Sequence, residues 1–308
     1  MQGWRKRMED AHILELDIGP QKDTQLFGIF DGHGGPEVAQ FVGKHFTEEF
    51  VKNAKFLTDP KTALEETFLK MDEIMLEEPG RLELIELFKK SKEDGKKIKE
   101  NSKNAQIESL REAIDPKEQP DAQISLFTGC TANVLVIRGG ILYFANAGDS
   151  RSVLCKRGQC YQMSMDHKPT LENELKRIER AGGWVSEGRL LGNINLSRGL
   201  GDSEYKMDPN LKPSEQILSA FPEVRSEALA DDCDFAIVAC DGIWECKKED
   251  QEICDYFIDK LKKNPTQKLS KFIEELLDEF CAPDVYTEHG VGCDNMSCIV
   301  IQFKKKKQ

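Results

Sequence analysis

Apolar positions along the chain change period several times, and each change predicts an element. Residues 12–18 and 26–31 read as two strands separated by the polar turn 19–23, Gly-Pro-Gln-Lys-Asp. Residues 37–53 then take up helical periodicity behind Pro36, a residue suited to a first helical turn. A second amphipathic helix is expected over 61–77. Three strand-like runs follow at 131–137, 141–148 and 152–156. The links between them, Arg138-Gly139-Gly140 and Asp149-Ser150-Arg151, are short, which predicts antiparallel hairpins. Thr170 is placed to cap a helix over 171–181 that stops at Gly182-Gly183. A further strand covers 234–241, two helices cover 247–263 and 267–281, and a last strand covers 296–303. Strands joined by hairpins, with helices grouped between them, predict an α+β fold rather than a doubly wound sheet.

One region departs from this pattern. Of the thirty residues 89–118, sixteen are charged. The stretch from 79 to about 124 is therefore expected to be a solvated helix or a partly disordered insertion, with a regulatory partner as the functional alternative. The basic run Lys304–Lys307 reads as a frayed terminus, with nuclear targeting as the alternative.

The bulk numbers narrow the function classes. Net charge is −12, so no overall basic field gathers nucleic acid. No apolar run approaches the roughly 18 residues of a membrane span. The start, MQGWRKRMED, lacks the apolar centre of a signal peptide and has Gly third rather than second, unlike a myristoylation site. The ten cysteines contain no C-x-x-C pair, and Cys233, Cys240 and Cys298 fall in strand-like runs. Reduced, mostly structural thiols in a cytosolic or nuclear protein are expected, and a zinc site is not supported by the spacing.

The chemistry sits where strands stop or start. Phe27-Gly28-Ile29-Phe30 is an apolar strand, yet it runs into Asp31-Gly32-His33-Gly34-Gly35. A carboxylate and an imidazole are costly to bury unless paired or metal-bound. Taken alone, that ending admits a phosphate site, a metal site or a tight turn. Glu9-Asp10, Asp149, Asp241 and Asp294 repeat the placement at other strand ends. Packed sheets would bring several of them to one edge, where their mutual repulsion calls for a cation. Oxygen-only ligands point to a hard ion, Mg²⁺ or Mn²⁺. The bare Gly32 backbone can add its carbonyl. Arg5, four residues before Glu9, suits a phosphate. His33 shares a face with Asp31 if the chain stays extended, where it can protonate a leaving oxygen.

Seven motifs then occur in order: R-K-R-M-E-D (5–10), F-D-G-H-G-G (30–35), G-D-S-R (148–151), D-H-K-P (166–169), S-R-G-L-G-D (197–202), C-D-G-I-W-E (240–245) and D-N-M-S (294–297). Together they resemble the metal-dependent serine/threonine protein phosphatases of type 2C, over about residues 2–303. The resemblance implies a β-sandwich of two antiparallel sheets with helices on both outer faces, in one catalytic domain over 1–303, with a basic tail at 304–308. It implies two metals at one edge, bridged by Asp31. The Gly32 carbonyl would ligate one metal, and Asp241 and Asp294 would hold the other. Glu9 and Asp10 would ligate directly or position waters. Arg5 would bind the substrate phosphate and His33 would be the general acid. Asp149 would help form a third, weaker site. Residues 166–195 would form a flap beside the active site.

Two departures stand out. The family usually has Asp where this chain has Glu245, near the third metal. It also normally has a short extra strand before the Met-Gln-Gly-Trp equivalent. The implied reaction is in-line attack on phosphorus by a metal-activated water, without a phosphoenzyme. Neither a Cys-x5-Arg nor a P-loop pattern is present. An inactive, binding-only relative would lack core ligands, and none is missing here. Small phosphate esters remain a second substrate class. Phosphorylated proteins are the expected partners of a monomer. Lys176, Arg177 and Arg180 on the 171–181 helix are expected to guide acidic phosphopeptides, with Arg177 touching substrate.

Overall fold

The structure is a computed structural model that describes residues 1–96, 124–286 and 290–304. Strand β1 (Ala11–Ile18) pairs antiparallel with β2 (Thr24–Phe30), and the short β3 (Gly32–His33) follows at once. Three helices come next: α1 (Glu37–Lys52), α2 (Pro60–Leu76) and α3 (Glu78–Lys96). The central strands are β4 (Gly129–Cys130), β5 (Ala132–Arg138), β6 (Ile141–Ala147), β7 (Arg151–Lys156) and β8 (Gln159–Gln162). The flap carries α4 (Glu172–Arg180) and a small hairpin, β9 (Val185–Ser186) and β10 (Arg189–Leu190). Then come β11 (Leu200–Gly201), β12 (Glu223–Ala228), β13 (Cys233–Ala239), the one-turn α5 (Asp241–Trp244), α6 (Asp250–Lys263), α7 (Leu269–Phe280) and β14 (Cys298–Gln302).

Two antiparallel sheets form the centre. The first has the order β1-β2-β5-β6-β12 and the second β14-β13-β7-β8. Strand alternation sorts their side chains into layers. From β2, Phe27 and Ile29 enter the space between the sheets, where Leu135, Phe144, Ala236 and Val238 meet them. Leu26 and Phe30 point the other way, into a core shared with Phe41 and Phe46 of α1 and Phe68 of α2. On the outer face of the second sheet, Phe235 and Ile237 pack on Phe257 of α6 and Phe272 of α7. The result is an α+β fold, as the pattern predicted, in the layered helix–sheet–sheet–helix sandwich that the family resemblance implied.

Three expectations change. First, the stretch from 79 was expected to have little to bury. Its first part is a helix, α3, one of the two forms expected, but not a solvated one: it buries Leu84, Ile85 and Phe88 against the first sheet's helical layer. These apolar residues precede the dense charge, and the charge spread their character across the whole region. The rest of that stretch, and the tail beyond residue 304, lie outside the described residues. Second, β5 and β6 do form a hairpin, with Gly139 and Gly140 both at positive φ as the tight turn requires. The equally short link after β6 is not a hairpin. It leaves the first sheet at Ala147 and enters the second at Arg151. Third, Leu171 rather than Thr170 precedes the first turn of α4, and no side chain caps it. Among the described residues, no helix is long and apolar enough to cross a membrane.

Candidate active site

Strand register brings the acids together. Ala11 stands opposite Phe30, so Asp10 and Asp31 leave the first hairpin at the same end. Ala132 stands opposite Ala147, which puts Thr131 and Gly148 beside them. In the second sheet, Ala239 faces both Arg151 and Cys298, so Asp241 emerges at that edge too. The link from Gly148 to Ser150 runs along the same edge. Thr131 Oγ1 meets Ser150 Oγ at 2.7 Å and accepts from the Asp31 amide at 3.2 Å.

The N-terminal segment is drawn in by Asn295. Its Oδ1 accepts from the Glu9 amide at 2.8 Å, and its Nδ2 donates to Gln2 O at 2.8 Å and Arg7 O at 3.0 Å. Glu9 then lies so close to the end of β2 that only glycine fits at 32. A Cβ there would stand 2.3 Å from Glu9 O. Asp10 Oδ2 accepts from Ser297 Oγ at 2.7 Å, while its Oδ1 is buried without a hydrogen-bond partner.

Asp31, Cys240 and Asp241 each offer an atom within 4.8 Å of the others. Burial and the charges of Asp241, Asp10 and Asp149 push the Asp31 carboxyl well above the ordinary range. Burial, with Asp149 and Glu245 next, raises Asp241 to about 7. Burial also raises Asp10, against its bond from Ser297. Crowded carboxylates with an unpartnered buried oxygen suit a hard divalent cation, which would relieve the repulsion and fill the missing bond. The Cys240 thiol is otherwise engaged: it accepts from the Ser297 amide at 3.1 Å and donates to Asn295 O at 3.5 Å. Cys240 directly precedes Asp241, but its strand-like surroundings had marked it only as a structural thiol.

The other expected residues divide. Asp294 pairs with Arg5, Oδ2 to Nη2 at 2.5 Å, and Arg5 keeps 62% of its side chain exposed. An exposed guanidinium beside the acids is well placed for a phosphate. Asp149 is buried and pairs with Lys168. Burial disfavours the Lys168 ammonium, but Asp149 and Asp241 outweigh it and raise its pKa. Lys168 thus sits where the resemblance implied a third cation. Glu245 is raised by burial and by Asp149 and Asp294, with Lys168 opposing. His167, next to Lys168 in the chain, is buried. Burial holds its imidazole at about 3, and Nδ1 accepts from the Gly148 amide at 3.3 Å.

His33 has a partner that no motif spacing announces. Its Nε2 lies 2.6 Å from Asp202 Oδ2. Burial opposes the imidazolium, yet Asp202, with Asp149 and Glu9 behind it, raises its pKa.

Arg177 is not turned out toward a substrate. Only 13% of its side chain is exposed. It bonds Glu174 Oε2 at 2.5 Å, Gln216 O at 3.1 Å and Ser197 O. Arg198 completes the cluster, reaching Glu174 Oε1 at 2.6 Å. Burial alone would raise Glu174, but Arg198 and Arg177 hold it at about 2. The expectation that Arg177 guides phosphopeptides took a buried ion cluster for a surface charge. The cluster braces the flap, whose small core joins Ile178, Leu190 and Leu218. Arg151 ties the flap's start down, reaching Asp166 at 2.7 and 3.0 Å and Asp250 of α6 at 2.5 Å.

Comparison with known proteins agrees with this architecture. A family model described as "Protein phosphatase 2C" matches residues 1–86 and 79–288. A Paramecium tetraurelia protein named "Probable protein phosphatase 2C 3" is 46% identical over 99% of this chain and 91% of its own. An Arabidopsis thaliana protein named "Probable protein phosphatase 2C 21" is 41% identical over 99% of this chain and 85% of its own. A solved structure of a phosphatase from Toxoplasma gondii superposes with a TM-score of 0.70 at 22% identity, covering 99% of this chain and 91% of that one.

Proposed function

The chain belongs to the protein phosphatase 2C family, and from that premise we propose that it hydrolyses phosphoserine and phosphothreonine in proteins with the help of divalent metal. The observation that carries this reading is the acid cluster. Asp31 and Asp241 crowd at one edge with carboxyls raised well above the ordinary range, and Asp10 Oδ1 is buried with no partner.

Asp31, Asp241 and Asp10 would hold the ions, with the Gly32 carbonyl, Glu9 and Asp294 completing the set. Bound Mg²⁺ or Mn²⁺ supplies an acidified water as nucleophile and neutralises charge on the phosphoryl group. Arg5 binds the substrate phosphate and holds it in line for attack. Its bond to Asp294 fixes the fork while leaving it accessible. His33 donates a proton to the departing serine or threonine oxygen. Lys168 at Asp149 supports two ions at the core in preference to three.

The test is phosphate release from a phosphothreonine peptide with Mn²⁺ or Mg²⁺, then with EDTA, with Asp31→Asn alongside. Release that requires metal and vanishes in the variant is expected. Release that persists in EDTA, or in the variant, overturns the metal reading.

A further inference from the structure

The short sheet beside the acid cluster has the order β11-β4-β3. Its register aligns His33 with Gly129, and Gly129 with Gly201, in one row across three strands. Asp202 follows Gly201 and reaches back over Gly129 to His33 Nε2 at 2.6 Å. That reach depends on a bare backbone in between. A Cβ on Gly129 would stand 2.1 Å from Asp202 Oδ2 and 2.7 Å from His33 Nε2.

Asp202 is itself held in an unusual state. Its φ is +48°, a left-handed conformation that a residue with a side chain seldom takes. Such strain persists only where the surroundings enforce it. Here the Asp202 amide donates to Thr128 O at 2.9 Å. The preceding Gly201 amide donates to Asp72 Oδ1 of α2 at 2.9 Å. Lys206 clamps the same carboxylate, Nζ to Asp72 Oδ2 at 2.6 Å, and also bonds Gly199 O at 2.7 Å. The carboxylate of Asp202 is buried, whereas about a third of the His33 side chain is exposed. The buried acid therefore holds Nε2, which leaves Nδ1 as the ring nitrogen that Asp202 does not bind.

We propose that Asp202 is the positioning residue for proton transfer: it fixes His33 through Nε2, so that Nδ1 is the atom that serves the leaving group. This rests on the phosphatase reading above. In the step itself, the water oxygen forms the new bond to phosphorus as the bond to the serine or threonine oxygen breaks. The electron pair stays on that oxygen, which takes the proton from His33 Nδ1. Of the water's two protons one stays on the released phosphate and the other passes to solvent, from which the imidazole regains its own. Asp202 keeps its charge throughout and never touches substrate.

The test uses two substrates that differ in their need for a proton. A threonine alkoxide is a poor leaving group and must be protonated. The anion of p-nitrophenol leaves near neutral pH without help. Asp202→Ala should cut kcat on a phosphothreonine peptide about ten- to a hundredfold, with little change in KM and a much smaller loss on p-nitrophenyl phosphate. Asp202→Asn keeps an acceptor at the same place and should fall between Ala and wild type. It also decides the matter if the Ala variant does not fold. Nitrogen-15 spectra of the His33 ring should place the proton on Nε2 in the neutral wild-type ring, with both tautomers populated in the Asn variant. Equal losses on both substrates, an unchanged peptide kcat, or an unchanged tautomer would overturn the proposal while leaving the phosphatase reading intact. A wild-type chain inactive on both substrates with metal present would overturn both.

Discussion

Arg177 donates to Glu174 three residues earlier on the same helix; the acid is buried and the arginine largely so. Removing the arginine would leave a buried acid in the flap with Arg198 and the Ser197 hydroxyl as its remaining partners. Breaking a buried ion pair from one side costs about 3–5 kcal/mol. Arg177→Met should therefore lower stability by an amount of that order, read by urea denaturation. In the fraction that remains folded, KM for a phosphopeptide should stay close to wild type. A raised KM at unchanged stability would restore the surface role that the sequence suggested.

The acid cluster predicts a dependence on pH and metal. Asp10, Asp31 and Asp241 all have folded-state carboxyls raised above the ordinary 3.8, Asp241 to about 7. The folded chain binds these protons more tightly than the unfolded chain. Their stabilising contribution is thus complete below 3.8 and is lost as pH rises through about 7. In EDTA, the melting temperature should fall as pH goes from about 5 to about 8. Saturating Mn²⁺ should flatten or reverse that slope, because the ion replaces the protons. Asp31→Asn should melt higher than wild type in EDTA and gain less from Mn²⁺. Parallel slopes with and without metal would argue against a cation among these acids.

Arg5 is exposed and already aimed by Asp294. Charge-assisted hydrogen bonds contribute about 1.5–3 kcal/mol, which converts to roughly ten- to a hundredfold in binding. Arg5→Ala should raise KM by a factor in that range for both peptide and aryl phosphate, with little change in melting temperature. Steady-state kinetics on the two substrates would check it. A loss confined to the peptide would mean that Arg5 reads the peptide and not the phosphate.

Gly129 offers a route to the same pair from outside it. A methyl group at that position collides with Asp202 Oδ2 and His33 Nε2. Gly129→Ala should reproduce the substrate split expected for Asp202→Ala, and its crystal structure should show the His33–Asp202 contact lengthened or lost.

Much of this was legible because strand alternation and strand endings are local. Leu26 and Phe30 against Phe27 and Ile29 already divide the two faces of β2. Asp31 and Asp241 draw notice because an apolar strand has no cause to end in an acid. Contacts between distant segments were not legible. Asp202 lies 169 residues from His33, and only the three-strand sheet brings them together. Arg177 looked like a surface cation because the groups that enclose it, the carbonyls of Gln216 and Ser197 and the Arg198 guanidinium on the shared Glu174, come from other parts of the chain. The buried face of helix α3 was hidden by the charge that follows it, although Leu84, Ile85 and Phe88 already have helical spacing. The link after β6 could not be told from a hairpin by length, since a turn and a crossing between sheets need equally few residues.

That crossing has a mechanical consequence. Asp10 and Asp31 belong to the first sheet, Asp241 and Asp294 border the second, and Gly148–Ser150 is a covalent bridge between the two. An ion held jointly by Asp31 and Asp241 would be a second rivet through the same seam. Its departure would free the two halves to part along that edge while the opposite edge stays shut. Amide exchange at Thr131, Ser150 and Cys240 would then quicken on chelation before the strand centres respond, so that catalytic competence and the cohesion of the two halves share one fastening.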